Sequence, residues 1–423
     1  MYAGVGSSDF TPEPGLILQG HLSKNPSHAV LYPLDARAIV FRDNQSSICI
    51  ITLDVIGIEL ALTQRVRQQI QARTGIPPAH ILIAASHTHC APAMLHNLGM
   101  TPDPNFLRKV EAAAVQAAVD AARHLLPVNL GLGAGSAYFN VNRRPLPGQT
   151  QFSVNFAGVV DHRARVLLVE GPHDRPLAAL FTFSCHPTTK VGSEGVISPD
   201  YPGVARAHIE STLGCAALFL PGCFGNIRPQ IDGSFASASR EQLDHVGNEL
   251  GHAVSRATRY ITTRPSATLS AQEVELVLPF GSSKGESELQ QLMQDTSTPG
   301  HTVRATWAKR TLDRLRAGDL PKGVSTVMQH LRVGPLSLIA IGGEPVQEIG
   351  YALEAALARD TDADNVWALG YCNDQVGYLV TEQHKLEGGY EPNAYTFYDR
   401  PAPYANEQQT IVAAARKMVM ANR

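Results

Sequence analysis

The run Ile81-Leu82-Ile83-Ala84-Ala85-Ser86-His87-Thr88-His89-Cys90-Ala91-Pro92 constrains this chain more than any other stretch. Its five opening residues, all apolar or small, read as a strand buried on both faces. The strand leads straight into a His-x-His pair, and on extended backbone side chains at i and i+2 leave the same face. The spacing predicts that His87 and His89 project together where the sheet ends, with Pro92 closing the segment. Two imidazoles converging there can grip a transition metal. Two hydrogen-bonded histidines beside a surface turn satisfy the same pattern, and the motif alone does not choose.

A catalytic zinc site needs about three protein ligands and an open position. Two further apolar runs end on candidate ligands. Ala178-Ala179-Leu180-Phe181-Thr182-Phe183-Ser184-Cys185 delivers His186, and Leu336-Ser337-Leu338-Ile339-Ala340-Ile341 breaks at Gly342-Gly343 to present Glu344. A buried carboxylate at a strand end is costly unless paired or metal-bound. A first-turn acid favoured by the helix dipole is the plainer account of Glu344. Three strand ends that each carry a ligand weigh more than any one of them.

Short β-branched runs alternate with amphipathic stretches along most of the 423 residues. The periodicity predicts strands at Ala38–Phe41, Ser47–Leu53, His80–Ala85, Asn129–Ala134, Arg165–Glu170, Ala178–Ser184, Ala216–Leu220, Ala267–Leu278, Ser325–Val333 and Leu336–Ile341. It predicts helices at Leu60–Thr74, Asn105–Leu126, Pro202–Thr212, Ser239–Thr262, Glu286–Ala317, Val346–Ala358 and Asn406–Met420. The fold class is α/β, a mixed β-sheet core flanked by helices. Strands that follow one another directly, as over Ser325–Ile341, argue against a doubly wound sheet or a regular barrel. The polar stretch Gly281–Gly300 can be a boundary or a long loop; one continuous domain over 1–423 is expected.

Apolar residues make up 44% and charged residues 17%, and the net charge of −3 offers no nucleic-acid surface or polybasic membrane patch. Cys49, Cys90, Cys185, Cys215, Cys223 and Cys372 have no CxxC spacing and are too sparse for a disulfide scaffold. The start lacks a signal-peptide pattern, and no apolar run reaches the ~18 residues of a membrane span. A reduced, cytoplasmic protein acting on a small molecule, without nucleic-acid or stable membrane association, is expected; homo-oligomerisation is left open.

Ser-His-Thr-His-x-x-Pro, the strand-end His186, the Gly-Glu-Pro turn and a late Gly-Tyr segment together resemble the neutral (non-lysosomal) ceramidase family. The resemblance runs in order from Gly4 to about Tyr390. Weaker matches support it: Gly4-Val5-Gly6-Ser7-Ser8-Asp9-Phe10-Thr11-Pro12, Asn142-Arg143-Arg144-Pro145 and Ile197-Ser198-Pro199-Asp200-Tyr201-Pro202-Gly203. It implies a zinc ion held by two histidines, a glutamate and a tyrosine, here His87, His186, Glu344 and Tyr378, and hydrolysis of an amide. It makes His89 a substrate-facing neighbour of the metal, and sets Tyr390 and Arg143 beside the reaction centre as catalytic or positioning groups. An ester or lactone is the alternative bond.

The departures are informative. The family's Ser-Asn-x-Gly-Asp/Asn segment, whose serine is implicated in catalysis, corresponds to Gly222-Cys223-Phe224-Gly225-Asn226, so glycine replaces the serine. Cys223 as a substitute nucleophile is weighed against an ordinary core cysteine, and no basic residue precedes it to lower its pKa. Water activated by zinc needs no protein nucleophile. Gly222 would then let backbone N–H groups approach an oxyanion, with Gly222, Cys223 and Asn226 against the substrate. The chain is also shorter than full-length ceramidases, with no room for their C-terminal β-rich domain. That favours a substrate smaller and more soluble than a membrane lipid.

An amidohydrolase-type metal barrel, which also begins with His-x-His, and a non-catalytic homologue are the competing readings. Asp54 is a candidate to orient a zinc histidine, or simply an acid at a helix start; Asp200 is equally ambiguous. Gly131-Leu132-Gly133-Ala134-Gly135 has no helix after it and is no phosphate loop. Glu249 and His252 form half of a di-metal motif with no second copy, and His208 and His245 stand alone on helices. Gly20–Pro33, Met94–Pro104 and Gly388–Pro403 are the expected specificity loops, and their Asn, His and Tyr content predicts a polar pocket.

Overall fold

The structure, a computed structural model, describes residues 1–420 apart from 22–24, 98, 147, 150, 191, 267, 297–299 and 359–364. Its main elements trace one path three times. The first pass is β1 (Tyr2–Asp9), β2 (Asp35–Arg42), β3 (Ser47–Leu53), α1 (Leu60–Thr74), β4 (Ile81–Ala85) and α2 (Pro104–Arg123). The second is β5 (Asn129–Ser136), β6 (Arg163–Glu170), β7 (Pro176–Phe183), α3 (Asp200–Leu213), β8 (Ala216–Pro221) and α4 (Arg240–Thr258). The third begins with β9 (Leu269–Pro279), which two inserted helices, α5 (Glu286–Gln294) and α6 (His301–Ala317), separate from the rest. It continues through β10 (Gly323–Val333), β11 (Leu336–Ile341), α7 (Gln347–Leu357), β12 (Asn365–Leu369), α8 (Glu382–Glu387) and α9 (Glu407–Met420).

Each pass makes its own sheet with the same pairing. The first three strands are antiparallel neighbours, and a helical crossover brings the fourth strand parallel to the third. A hairpin needs only a short turn, whereas a parallel partner needs a crossover long enough to return the chain. The inner faces of the three sheets meet in a shared core that includes Phe41, Ile50 and Leu82, then Leu167, Leu180 and Leu220, then Leu331, Leu338 and Trp367. The outer faces are covered by α1 and α2, by α3 and α4, and by α7 and α9.

This double covering explains the unbroken apolar runs. In β4, Ile81, Ile83 and Ala85 face the helices while Leu82 and Ala84 face the central core. Glycine serves the same packing on β1, where a Cβ on Gly4 or Gly6 would strike the backbone of α2.

Most boundaries fall within a few residues of expectation. The helix expected over Glu286–Ala317 is two, because Gly300, just after Pro299 in sequence, sits at φ +77°, a conformation no helix continues. The polar stretch expected as a boundary or loop carries α5, whose Leu289 packs on Trp307 and Leu312 of α6. Ala267 of the expected strand lies outside the described residues. Strands β1 and β12 and helix α8 were not expected. Three open sheets exclude the metal barrel.

Candidate active site

Each pass contributes one strand-end candidate ligand to a common point. His87 follows β4, His186 follows β7 and Glu344 follows β11. His87 has φ +69°, so it turns inward from a tight bend rather than from the extended backbone the sequence implied. Glu344 is turned in by Gly343 at φ +95°, where a Cβ would come closer than 3.0 Å to the Gly377 carbonyl. Its own N–H donates to that carbonyl, in a short pairing of Glu344–Pro345 with Tyr378–Leu379.

The hydrogen bonds of these residues fix their protons. The Nδ1 of His87 lies 2.6 Å from the Ile56 carbonyl, and that of His186 lies 2.7 and 2.9 Å from the carbonyls of Phe224 and Ile227. A carbonyl only accepts, so Nδ1 carries the hydrogen and Nε2 presents a lone pair. Both Nε2 atoms face Glu344 Oε2, at 3.2 and 3.5 Å, and His89 Nε2 is 3.3 Å from that of His87. His186 Nε2 and Glu344 Oε2 are buried with no hydrogen-bond partner among the described residues. Acceptors converging without a shared hydrogen repel unless a cation lies among them. Ligand atoms of His87, His89 and His186 all lie within 4.8 Å of one another.

Electrostatics favour the unprotonated form of His186 and of His89. Burial, then the charge of Arg143, pushes the His186 imidazole down to about 3. Burial and the neighbouring His87 and His21 hold His89 well below its ordinary value. For Glu344, burial alone opposes ionisation, and the charge and hydrogen bonds that His87 and His186 would supply if protonated are what would hold its carboxyl below the usual range.

A layer of tyrosines surrounds the cluster. Tyr398 donates its hydroxyl to Glu344 Oε1. Tyr371 lays its ring against His87 at 4.3 Å between centroids and stacks on Phe224. Tyr378, expected on the metal, accepts a 2.8 Å hydrogen bond from Arg143 Nη2, its partner among the described residues. Arg143 is buried, and it also donates to Glu391 Oε1 and to the Gly225 carbonyl. Burial alone would lower its pKa, but Tyr378 and Glu391 outweigh that and raise it. Its guanidinium lies over the rings of Phe152, Tyr378 and Tyr390, so it stands behind the tyrosines rather than on the pocket wall.

A pocket of about 190 Å³ opens onto His87, His89 and Glu344. All three expected specificity loops reach it, through Gly20 and His21, through Leu95, Asn97 and Met100, and through Tyr390, Phe397 and Tyr398. Its wall is more apolar than their composition implied. Leu95, Met100 and Phe397 turn inward, and Ile56 and Val303 join them from outside the loops.

Several expected roles are corrected. Gly222, Cys223 and Asn226 do not line the pocket. The Gly222 N–H is directed at the Phe183 carbonyl, and a side chain there would meet Ser184. Cys223 is in the core against α7, and burial holds its thiol well above its ordinary value, the reverse of nucleophile activation. Asn226 accepts from the Gln347 N–H and donates to Glu348, fastening the start of α7. Asp54 orients no histidine: it holds Arg206 through two 2.6 Å bonds, and His87 uses a backbone carbonyl instead. Asp200 gathers the N–H groups of Thr189, Lys190 and Tyr201. The six cysteines are free and buried.

Sequence reasoning missed Tyr398, Tyr371 and His21. Tyr398 lay inside a flagged loop. Tyr371 follows β12, so recognising that strand would have exposed it by the same strand-end rule. His21 stacks edge-on against His89, at 5.3 Å between centroids.

Three helix-covered sheets with a buried cluster of histidines and one carboxylate at their junction define an α/β protein with a candidate metal-hydrolase centre. The chain belongs to the neutral/alkaline non-lysosomal ceramidase family, whose N-terminal region matches residues 2–242, and that membership puts it among amide-bond hydrolases. It is 26% identical to the neutral ceramidase of Mycobacterium tuberculosis (strain ATCC 25618 / H37Rv), over 93% of this chain and 74% of that protein. The crystal structure of neutral ceramidase from Pseudomonas aeruginosa superposes with a TM-score of 0.78 at 19% identity, covering 100% of this chain and 74% of that one. A ceramidase complexed with C2 gives the same TM-score and identity, with 75% of its chain covered. Among the described residues, no helix is long and apolar enough to cross a membrane.

Proposed function

We propose that this protein is a zinc-dependent hydrolase that cleaves an amide bond in a small substrate. The observation that carries the reading is the convergence of buried, unpartnered acceptors, His186 Nε2 and Glu344 Oε2, on the Nε2 side of His87. Neutral imidazoles and a carboxylate form a donor set that suits zinc. His87, His186 and Glu344 would hold the ion, which when bound polarises a carbonyl and brings the pKa of water to ~7.

The surrounding residues have distinct tasks. The Nδ1 bonds of His87 and His186 lock each ring with its lone pair inward. Tyr398 orients Glu344 by donating to the oxygen that faces away from the histidines. Arg143 orients the Tyr378 phenol and directs positive charge toward it, so Tyr378 and Tyr390 can steady a substrate oxygen that gains negative charge. A bound metal would supply the activated water as nucleophile, so that neither Gly222 nor Cys223 would be needed in that role.

The pocket supports a small substrate. The pocket of about 190 Å³ beside the cluster has room for a short acyl chain or a single ring next to the reacting bond, and its open mouth leaves the rest of a substrate outside it. The test is turnover of a panel of short N-acyl and aroyl amides, a long-chain ceramide, and small esters and lactones. Each is assayed with and without chelator, then with zinc restored. Turnover of short amides that chelation abolishes and zinc restores is expected. Chelator-insensitive amide hydrolysis, or no amide turnover by zinc-loaded protein, overturns the proposal.

A further inference from the structure

We infer that Arg228 sets the substrate class by pairing with a carboxylate on the amine side of the scissile amide, which makes the substrate an N-acyl amino acid. This rests on the hydrolase reading above and narrows it. The starting observation is a cation without a counter-ion. Arg143 and Arg144 both pair with Glu391, and Arg206 pairs with Asp54. Arg228 pairs with no carboxylate among the described residues. Its Nε is buried without a hydrogen-bond partner among them, and its Nη2 reaches the Phe235 carbonyl at 3.3 Å. The guanidinium lies over the Phe235 ring, 4.5 Å from its centroid. A ring face and one carbonyl hold the side chain but leave its charge uncompensated, which is costly for a half-buried group.

Arg228 stands beside the cluster. The short strand Ile227–Pro229 pairs antiparallel with Asn140–Asn142, with Arg228 opposite Val141. The pairing continues to Arg143, whose N–H donates to the Asn226 carbonyl. Val141 and Arg143 are two residues apart, so Arg228 and Arg143 leave the same face of this ribbon. The Ile227 carbonyl, one residue before Arg228, takes the Nδ1 hydrogen of His186. Charge effects agree with this placement. Burial, then the charge of Arg143, lowers the Arg228 guanidinium to about 10 from 12.5. Burial, then the charge of Arg228, lowers His21 to about 4. Arg228 thus lies close to Arg143 and to His21, and His21 is on the pocket wall.

Arg228 itself is outside the cavity lining and partly exposed, so it meets the portion of a substrate that extends past the pocket. With the acyl group among Leu95, Met100 and Phe397 and the amide carbonyl at the cluster, the amine substituent extends past His21. A carboxylate there gives the Arg228 fork a planar, bidentate partner. Asp200, whose charge also reaches Arg228, is already held by the N–H groups of Thr189, Lys190 and Tyr201. Hydrolysis adds water across the C–N bond and releases the acyl acid and the free amino acid.

The test compares kcat/KM of the zinc-loaded chain on an N-acyl amino acid, its carboxamide and its phosphonate analogue, in the native protein, Arg228→Met and Arg228→Lys. The native protein should favour the carboxylate over the carboxamide by about 10–100-fold, the range of a charge-assisted hydrogen bond, mainly through KM. Arg228→Met should remove that preference while retaining zinc, and Arg228→Lys should keep part of it. Amide cleavage by the native protein with no preference for the carboxylate, or with the phosphonate favoured over it, overturns the inference and leaves the hydrolase reading standing. So does a preference that survives in Arg228→Met, or zinc lost from that variant together with the preference. Failure of the zinc-loaded native protein to cleave any amide, here or in the wider panel, overturns both. Should Arg228→Met not fold, Arg228→Gln takes its place in the same comparison.

Discussion

Gly222 stands where the family resemblance led one to expect a serine, and the packing there makes restoring it a test of the fold. Strands β7 and β8 run parallel and end side by side, with Phe183 opposite Pro221, so Ser184 and Gly222 face each other. A Cβ on residue 222 would come closer than 3.0 Å to Ser184 Oγ and within 3.3 Å of both the Phe183 carbonyl and Ser184 Cα. The two backbone atoms cannot yield without bending β7, so the Ser184 hydroxyl must move inside a site that leaves it 4% exposed. Overpacking of this kind costs about 1–3 kcal/mol. Ser184→Ala alone removes a single hydroxyl and should cost no more than about 1 kcal/mol. Combined with Gly222→Ser it should recover at least half of the loss, a coupling of about 1 kcal/mol. Urea unfolding of the two single variants and the double variant measures all three values. A loss below about 0.5 kcal/mol in Gly222→Ser, or no recovery in the double variant, refutes the steric account of this glycine.

Other outcomes follow from buried charge and titration. Arg206 and Asp54 are almost fully buried and doubly bonded, so Asp54→Ala strands a guanidinium and should cost about 3–5 kcal/mol in urea unfolding. His330 is buried far along β10, and burial followed by the charge of Arg332 pushes its imidazole down to about 4 from 6.5. The unfolded chain therefore binds a proton between these values that the folded chain refuses. This contribution is fully present above pH ~6.5 and is lost as the pH falls toward 4, at most about 3 kcal/mol. His330→Gln should flatten that part of the pH–stability curve, and an unchanged slope would contradict the assignment.

What could be read in advance followed from local pattern. A strand buried on both faces must be apolar throughout, so the polar residue that ends it stands out; His87, His186 and Glu344 were visible for that reason. What could not be read depends on partners distant in sequence. Arg143 stood out as a motif, but that it meets Glu391 and Tyr378 is set by contacts across more than two hundred residues. Asp54 looked free to serve a histidine because Arg206, on another sheet's helix, is invisible from its neighbours. The threefold path escaped because β1 is glycine-rich, β12 is only five residues long, and α5 and α6 interrupt the third pass. The role imagined for Gly222 failed because its surroundings are Ser184 and Phe183, from the adjacent strand.

The central claim is that one divalent ion lies among His87, His186 and Glu344. Elemental analysis of the purified chain after dialysis against zinc and then metal-free buffer tests it directly, with His186→Ala alongside. One equivalent of zinc per native chain, and little or none in the variant, is the expected result. A native chain that retains no zinc, or a variant that retains as much as the native chain, contradicts it.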